Sequence, residues 1–216
     1  KEPYVKIAIG FEVGGWDDPD VIPKCVLNQL LGGGSSFSAG GPGKGMYTRL
    51  YTRVLNQNNY VESMESFIAL NEDNGLLGVD AAIPPEYVHH VVRVIIEQLV
   101  NLAIVPVTDE ELSRARNMCK SMLLMQLESR VVLCEDIARQ YVTYGKRQDP
   151  TETCQLIDQV TADDLMRVAD EMLNHVPAVG CVGHDLSNVP SYEDIRDFTK
   201  AYVTEGRRIK AAQAQQ

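Results

Sequence analysis

The densest pattern in this chain is one of glycines: Gly32, Gly33, Gly34, Gly40, Gly41, Gly43 and Gly45 put seven of its sixteen glycines into fourteen positions. Bare backbone amides at close spacing can cradle phosphates, so nucleotide binding is the first chemistry to test. A P-loop needs G-x-x-x-x-G-K-[ST]. Here Gly43-Lys44 is followed by Gly45, which has no hydroxyl for magnesium, and the position five before Gly43 is Ser38. A dinucleotide fingerprint needs G-x-G-x-x-G directly after a strand. Gly32 and Gly34 are followed by Phe37, Gly41 and Gly43 by Met46, and the preceding element reads as a helix. Both tests fail.

Metal and nucleophile chemistry find no better pattern. The sequence has no H-E-x-x-H or H-x-x-E-H, and the neighbours His89 and His90 would sit about 100° apart on a helix, too far round to share an ion easily. His90 falls on a polar stripe with Glu86, Arg93 and Glu97, which reads as a solvated surface. His175 and His184 stand alone, with no Ser or Cys nucleophile motif to make a triad. Cys25, Cys119, Cys134, Cys154 and Cys181 are odd in number, widely spaced and free of C-x-x-C, and they read as reduced thiols packed as small apolar groups. The chain is expected to be non-catalytic by itself, with no cofactor and no metal site of its own.

What the glycine stretch offers is backbone. Gly32, Gly33, Gly34, Ser35, Ser36, Phe37, Ser38, Ala39, Gly40, Gly41, Pro42, Gly43, Lys44 and Gly45 leave amides and carbonyls uncovered. A loop of this composition can close over an extended peptide and hydrogen-bond it without demanding particular side chains. Phe37 and Met46 add apolar contact, and Lys44 is the single charge. A plain linker is the competing reading. Linkers of this length rarely separate two strongly periodic helices, however, and "SSFSAGGPGKG" is not Gly-Ser repetition. The stretch therefore reads as a functional loop for substrate binding.

The surrounding elements must position that loop. With 216 residues and 44% apolar content the chain can bury a substantial core. Its densest apolar run, 91–96, is interrupted by Arg93 and falls short of the ~18 to 20 residues a membrane span needs. Thirty acidic residues against twenty basic give a net charge of −10, which makes nucleic acid a poor partner and a basic peptide a better one. The chain opens at Lys1 and reads as part of a longer protein, with any targeting peptide outside it.

Period-two alternation predicts a strand over 5–13, and "DDPD" at 17–20 supplies capping carboxylates for a helix running to about Leu31. A helix from Met46 to about Asn56 follows the glycines. Strands over 60–70 and 76–83, with the Asn74-Gly75 turn signal between them, predict a hairpin. Pro84 and Pro85 open a helix with Val88, Val91, Val92, Ile95, Leu99 and Leu102 on its apolar face. "TDEE" at 108–111 is a capping box for a long helical region reaching Tyr144, broken once. Helices follow over 151–158, 162–174 and 192–202, with a short apolar strand, expected to be central, over 178–183. The fold class is α+β, a mainly antiparallel sheet with helices packed on one face. One domain covers 1–203, and 204–216 reads as a tail with no reason to be ordered.

"LLGGGSSFSAGGPGKGMYTRLYTRVLNQ", from Leu30 to Gln57, together with "SMLLMQLESR" at 121–130 and "EDIARQ" at 135–140, resembles the pitrilysin-like zinc metallopeptidase family, in the non-catalytic subunits of its heterodimeric mitochondrial processing peptidases. The similarity runs from about Tyr4 to Tyr202. It implies the second of that family's two homologous α+β domains. It also implies a catalytic beta subunit as partner, which carries the inverted zinc motif and the catalytic glutamate, so that zinc belongs to the partner. The role implied for this chain is binding of presequence peptides through the glycine-rich loop in the mitochondrial matrix. One departure is Ser35, where the family pattern has a fourth glycine. The alternative implied by the same family is a core scaffold subunit of the inner-membrane ubiquinol-cytochrome c reductase, complex III, with both roles joined in one protein in some lineages. The near-intact loop favours the peptidase role, since a scaffold has no evident need for it.

The chain alone is expected to hold no stoichiometric zinc and to hydrolyse no peptide, for want of a ligand cluster and an activated water. Elemental analysis of the purified chain checks this, and one tightly held zinc per chain would overturn it.

Overall fold

The structure, a computed structural model, describes residues 3–33 and 46–213. Strand β1 (Val5–Gly14) buries Val5, Ile7, Ile9, Phe11 and Val13 on one face and turns Lys6 and Glu12 to the other, as its alternation requires. Helix α1 (Val21–Leu31) follows, but the carboxylates of "DDPD" do not cap it. Asp18 accepts from the Asp20 amide at 2.7 Å and pairs with Lys24 at 2.7 Å. Asp20, at the N-cap, makes no side-chain bond to the helix and pairs with Arg167 at 2.7 Å. Ion pairs with Lys24 and a distant arginine have taken over groups that local sequence assigns to a cap.

After the glycine stretch the expected helix shrinks to a short π-helical segment, Tyr51–Leu55, in which the Asn56 amide donates to the Tyr51 carbonyl at 2.9 Å. The Thr52 hydroxyl donates to the Thr48 carbonyl at 2.9 Å and the Asn58 side chain to that of Val54 at 2.8 Å, each beside the backbone amide of the same residue, at 3.0 and 2.9 Å. Strands β2 (Ser63–Leu70) and β3 (Asn74–Ile83) form the hairpin, with its turn at 71–74 rather than at Asn74-Gly75. The Asn71 amide donates to the Asn74 carbonyl at 2.8 Å, and Gly75 is already paired with Leu70.

Helix α2 (Val88–Ile104) enters through a 3-10 turn at Pro85–Tyr87 and buries all six residues of the expected apolar face. Helix α3 (Asp109–Gln126) starts with the Thr108–Glu111 capping box. The break falls at 127–129, after which α4 (Arg130–Tyr144) contributes no buried residue. Helices α5 (Pro150–Gln159) and α6 (Ala162–Met172) lead to strand β4 (Ala178–Val182). Helix α7 (Tyr192–Gln213) runs well past the expected end at 202. Lys210 Nζ donates to the Ala103 carbonyl at 3.0 Å and Arg207 pairs with Asp170 at 2.9 Å, so residues 204–213 are a helix held against α2 and α6. Residues 214–216 lie outside the described residues.

The sheet has the order β2-β3-β1-β4 with all three pairings antiparallel. Among the described residues β4 is an edge strand, not a central one: it pairs with β1 alone, and Val182 is largely exposed. The helices cover the apolar face, where α2 and α6 pack on β1 and α1 on β2. The other face carries small residues, Ala8, Gly10 and Gly78 among them, together with charges and with the side chains of Leu76 and Phe67, which lie over Gly10.

α4 stops at Gly145, whose φ of +68° is left-handed, and whose amide donates to the Tyr141 carbonyl at 3.1 Å. A β-carbon there would meet nothing within 4 Å, so substitution tests backbone strain alone. Gly145→Ala is expected to lower the unfolding free energy by about 1 kcal/mol, and Gly145→Asn by less. Urea midpoints measure both; an alanine variant as stable as wild type would contradict the strain assignment.

Candidate functional site

The glycine stretch leaves the fold at a point built by Asn28. Near the C-terminus of α1 its backbone carbonyl accepts from the Gly32 amide at 3.1 Å, the Gly33 amide at 2.7 Å and the Ser66 hydroxyl at 2.8 Å. The Ser66 amide in turn donates to the Gly32 carbonyl at 3.1 Å, so Gly33 forms a parallel bridge with Ser66 on the edge of β2 away from β3. A β-carbon at Gly33 would lie 2.6 Å from Asn28 Nδ2 and 3.0 Å from its carbonyl, so glycine is needed here for close approach.

The chain returns to the same point. A β-carbon on Gly32 would meet Leu50 Cδ1 at 2.9 Å, and Leu50 is fully buried. Of the fourteen residues singled out by sequence, Gly32 and Gly33 thus sit at a fixed base. The rest, Gly34 to Gly45, lie outside the described residues. Beyond them Met46 and Tyr47 are exposed, at 43% and 63%.

The returning strand of chain is clamped by Arg49, which is 2% exposed. Its guanidinium makes a two-pronged contact with Glu111, Nε to Oε1 and Nη2 to Oε2, both 3.0 Å, and Nη2 also donates to the Pro106 carbonyl at 3.2 Å. Arg53 approaches the same carboxylate at 3.6 Å. Burial pushes the Glu111 carboxyl up, but hydrogen bonds from Arg49 and the Thr108 amide, with both arginine charges, outweigh it and hold the pKa below the ordinary 4.5. The capping-box motif identified Glu111 as a helix residue. Nothing in sequence spacing tied it to Arg49, 62 residues away.

Across the sheet from this base, the open face carries an acidic pair. Glu65, one residue from the Ser66 bridge, lies directly across from Asp80. Burial raises both carboxyls, and the Asp80 charge raises Glu65 further. Like charges opposed across strands destabilise a sheet unless something else uses them. Sequence patterning did not mark either residue, because exposed acids in strands are common.

The remaining candidates stay apart. His89 and His90 are both exposed, with His89 edge-on to Phe198 and His90 tilted against Tyr60. His175 lies 3.7 Å from Glu12. Among the described residues no three His, Cys, Asp or Glu side chains are grouped to hold a metal ion. All five cysteines are free; Cys134 and Cys181 are exposed, so the reading of packed thiols does not hold for those two, which sit on the unburied α4 and on an edge strand.

The family model described as the Peptidase M16 inactive domain matches residues 1–119. The chain is 44% identical over 190 residues to the mitochondrial-processing peptidase subunit alpha of Bos taurus, covering 88% of this chain and 36% of that protein. It is 38% identical over 189 residues to the probable mitochondrial-processing peptidase subunit alpha-1 of Arabidopsis thaliana, covering 87% and 37%. Among solved structures, a chain of complex III2 from Candida albicans with Inz-5 bound superposes with a TM-score of 0.79 at 20% identity, over 91% of this chain and 46% of that one. The chain thus spans little more than a third of the length of these curated relatives.

Glu111 generates a pH prediction. A carboxyl whose folded pKa is depressed adds stability above its unfolded pKa and loses it as the pH falls through the folded value. Glu111→Gln is expected to be destabilised at neutral pH, with the gap from wild type closing as the pH drops below 4.5. Arg49→Met, which leaves the carboxylate without its main partner, should cost about 3 kcal/mol at neutral pH. Denaturant unfolding from pH 7 to pH 3 measures both, and a pH-independent gap for Glu111→Gln would contradict the ion-pair account.

Proposed function

The chain belongs to the M16 peptidase family, and on that premise we propose that it acts as the non-catalytic, presequence-recognising subunit of a mitochondrial processing peptidase. Its catalytic partner would be a beta-type subunit holding the zinc ion. The matched model is the family's inactive domain, which agrees with a binding rather than a hydrolytic role. The observation that carries the reading is the base of the glycine stretch: the chain departs and returns at one buried contact, Gly32 against Leu50, at the edge of a sheet whose opposite face carries Glu65 and Asp80. A segment tethered this way can be varied or shortened without disturbing the core that holds it.

In this proposal residues 32–45 supply backbone hydrogen bonds to an extended peptide, tolerant of its sequence. Glu65 and Asp80 supply attraction to the basic residues of a presequence. Lys44, the one charge of the stretch, would not help that attraction. The complex III scaffold reading rests on a likeness of fold at 20% identity, whereas the 44% identity runs to a processing-peptidase subunit. The processing role is therefore the one adopted, in the mitochondrial matrix.

Deleting Ser36 to Gly43 in the full-length protein, assembled with its catalytic partner, tests the reading. Assembly should persist, while presequence binding weakens at least tenfold, about 1.4 kcal/mol. Binding and processing at the wild-type rate would reduce the stretch to a linker.

A further inference from the structure

Helix α4 is turned the wrong way round for a surface helix. Val131, Cys134, Ala138, Tyr141 and Val142 fall within about 100° of one another around its axis, and all five are exposed, Val131, Tyr141 and Val142 at 68%, 58% and 79%. The side that faces the rest of the fold carries polar groups. There Arg139 stacks 3.9 Å above the Trp16 indole and pairs with Asp136, the Gln140 side-chain carbonyl accepts from the Gln148 amide at 2.6 Å, and the Tyr144 hydroxyl donates to the Trp16 carbonyl at 2.6 Å. These contacts fix the rotation of the helix, so the apolar stripe cannot roll inward. Single apolar residues on a surface need no explanation, but a continuous stripe marks a contact surface.

The spacing of the stripe says what fits it. Val131, Cys134, Ala138 and Tyr141 are separated by three, four and three residues, the a/d alternation of a helix that packs along another helix. Cys134 and Ala138, at its centre, are small enough to let a second backbone come close. With Val131 at a, the flanking g and e positions hold Arg130 and Glu135. Both are exposed and, among the described residues, neither forms an ion pair.

Their separation of five residues is the one at which a g residue of one helix meets an e residue of its neighbour in a parallel pair. A second copy of α4 answers both charges at once: Arg130 of each copy meets Glu135 of the other, while the four seam residues meet their own counterparts across a two-fold axis. In an antiparallel pair, where g meets g and e meets e, Arg130 would face Tyr144 and Glu135 would face Val142, and neither charge would be answered. The seam is short, but the helix is already ordered on the fold, so its ordering cost does not recur on association. The contact falls short of the ~800 Å² that each partner buries in a standard interface, and the association is expected to be weak.

We propose that the outer face of α4 is a self-association surface, on which a second copy of this chain packs its own α4 in parallel across a two-fold axis. The proposal goes beyond the peptide-binding reading and does not rest on it, since it uses no residue of 32–45 and none of the open sheet face.

Sedimentation velocity of the full-length protein, alone and assembled with its catalytic partner, follows association from micromolar concentrations upward. Reversible self-association is expected. Arg130→Glu and Glu135→Arg should each weaken it at least about tenfold, because each places like charges together at both symmetric contacts. An equimolar mixture of the two variants should associate again, since every g-to-e contact of the mixed pair then joins opposite charges. A short bismaleimide, which adds one thiol across each of its two double bonds, should link Cys134 to Cys134 in the associated protein, as read by mass spectrometry of the peptides. A monomer at every concentration overturns the proposal, as do association indifferent to both charge reversals, a mixture that fails to associate, and absence of the Cys134 link. Shielding of Cys134 from a simple maleimide in the monomer, in the one-to-one complex with the catalytic partner, or only on addition of phosphatidylcholine vesicles would assign the stripe to the rest of the chain, to that partner or to lipid, and overturns it equally.

Discussion

The carbonyl of Asn28 is the point on which the rest turns. Helices end by leaving their last carbonyls unsatisfied, and most such groups find solvent or a single capping amide. Here one carbonyl takes the amides of Gly32 and Gly33 and the hydroxyl of Ser66. That cluster stops α1, locks it to the edge of β2 and sets the direction in which the glycine stretch leaves. Because Gly32 also lies against Leu50, the same cluster determines where the chain comes back. A side chain at either glycine would push on Asn28 or Leu50, so the two residues are constrained by packing at the base, whatever the stretch above them does.

A second constraint holds the return path. Arg49 is buried, bonded to the Glu111 carboxylate through Nε and Nη2 and to the backbone carbonyls of Pro106 and Asn101 through Nη2 and Nη1. Buried pairs contribute little net stability compared with apolar packing, but breaking one leaves an uncompensated charge and is strongly unfavourable. Such a pair specifies position more than it stabilises. In this chain it fixes the start of the π-helical turn over the α2–α3 connection, which keeps the two stems together.

Local chemistry carried much of the fold into the sequence. The alternation of β1, the apolar face of α2 and the Thr108–Glu111 box are decided by neighbours within a few residues, and each forms as its spacing requires. Long-range partners decided the rest. Asp20 gives up its capping role to Arg167, 147 residues on, and residues 204–213 become helix because Ala103 and Asp170 are there to receive Lys210 and Arg207. β4 looks central from its composition, yet its place at the edge depends on which strand it meets. The candidate site divides the same way: the glycine pattern was visible, but Asn28, Ser66, Arg49 and the Glu65–Asp80 opposition arise only when distant segments are brought together.

The distribution of charge follows from these contacts. Lys24, Arg49, Arg167 and Arg207 are each committed to a carboxylate within the fold. Committing cations internally leaves the net charge of −10 to be expressed by the remaining acids, and Glu65 with Asp80 places two of them together on the open sheet face. At physiological ionic strength such a field fades over ~8 Å, so it can guide a basic segment in its last approach without holding it. Contacts at closer range on this face come from the side chains of Phe67 and Leu76, which lie over Gly10, as well as from backbone at Ala8 and Gly78. Charge and apolar side chains thus share this face, where Glu65 and Asp80 stand with Lys6 beside Phe67 and Leu76.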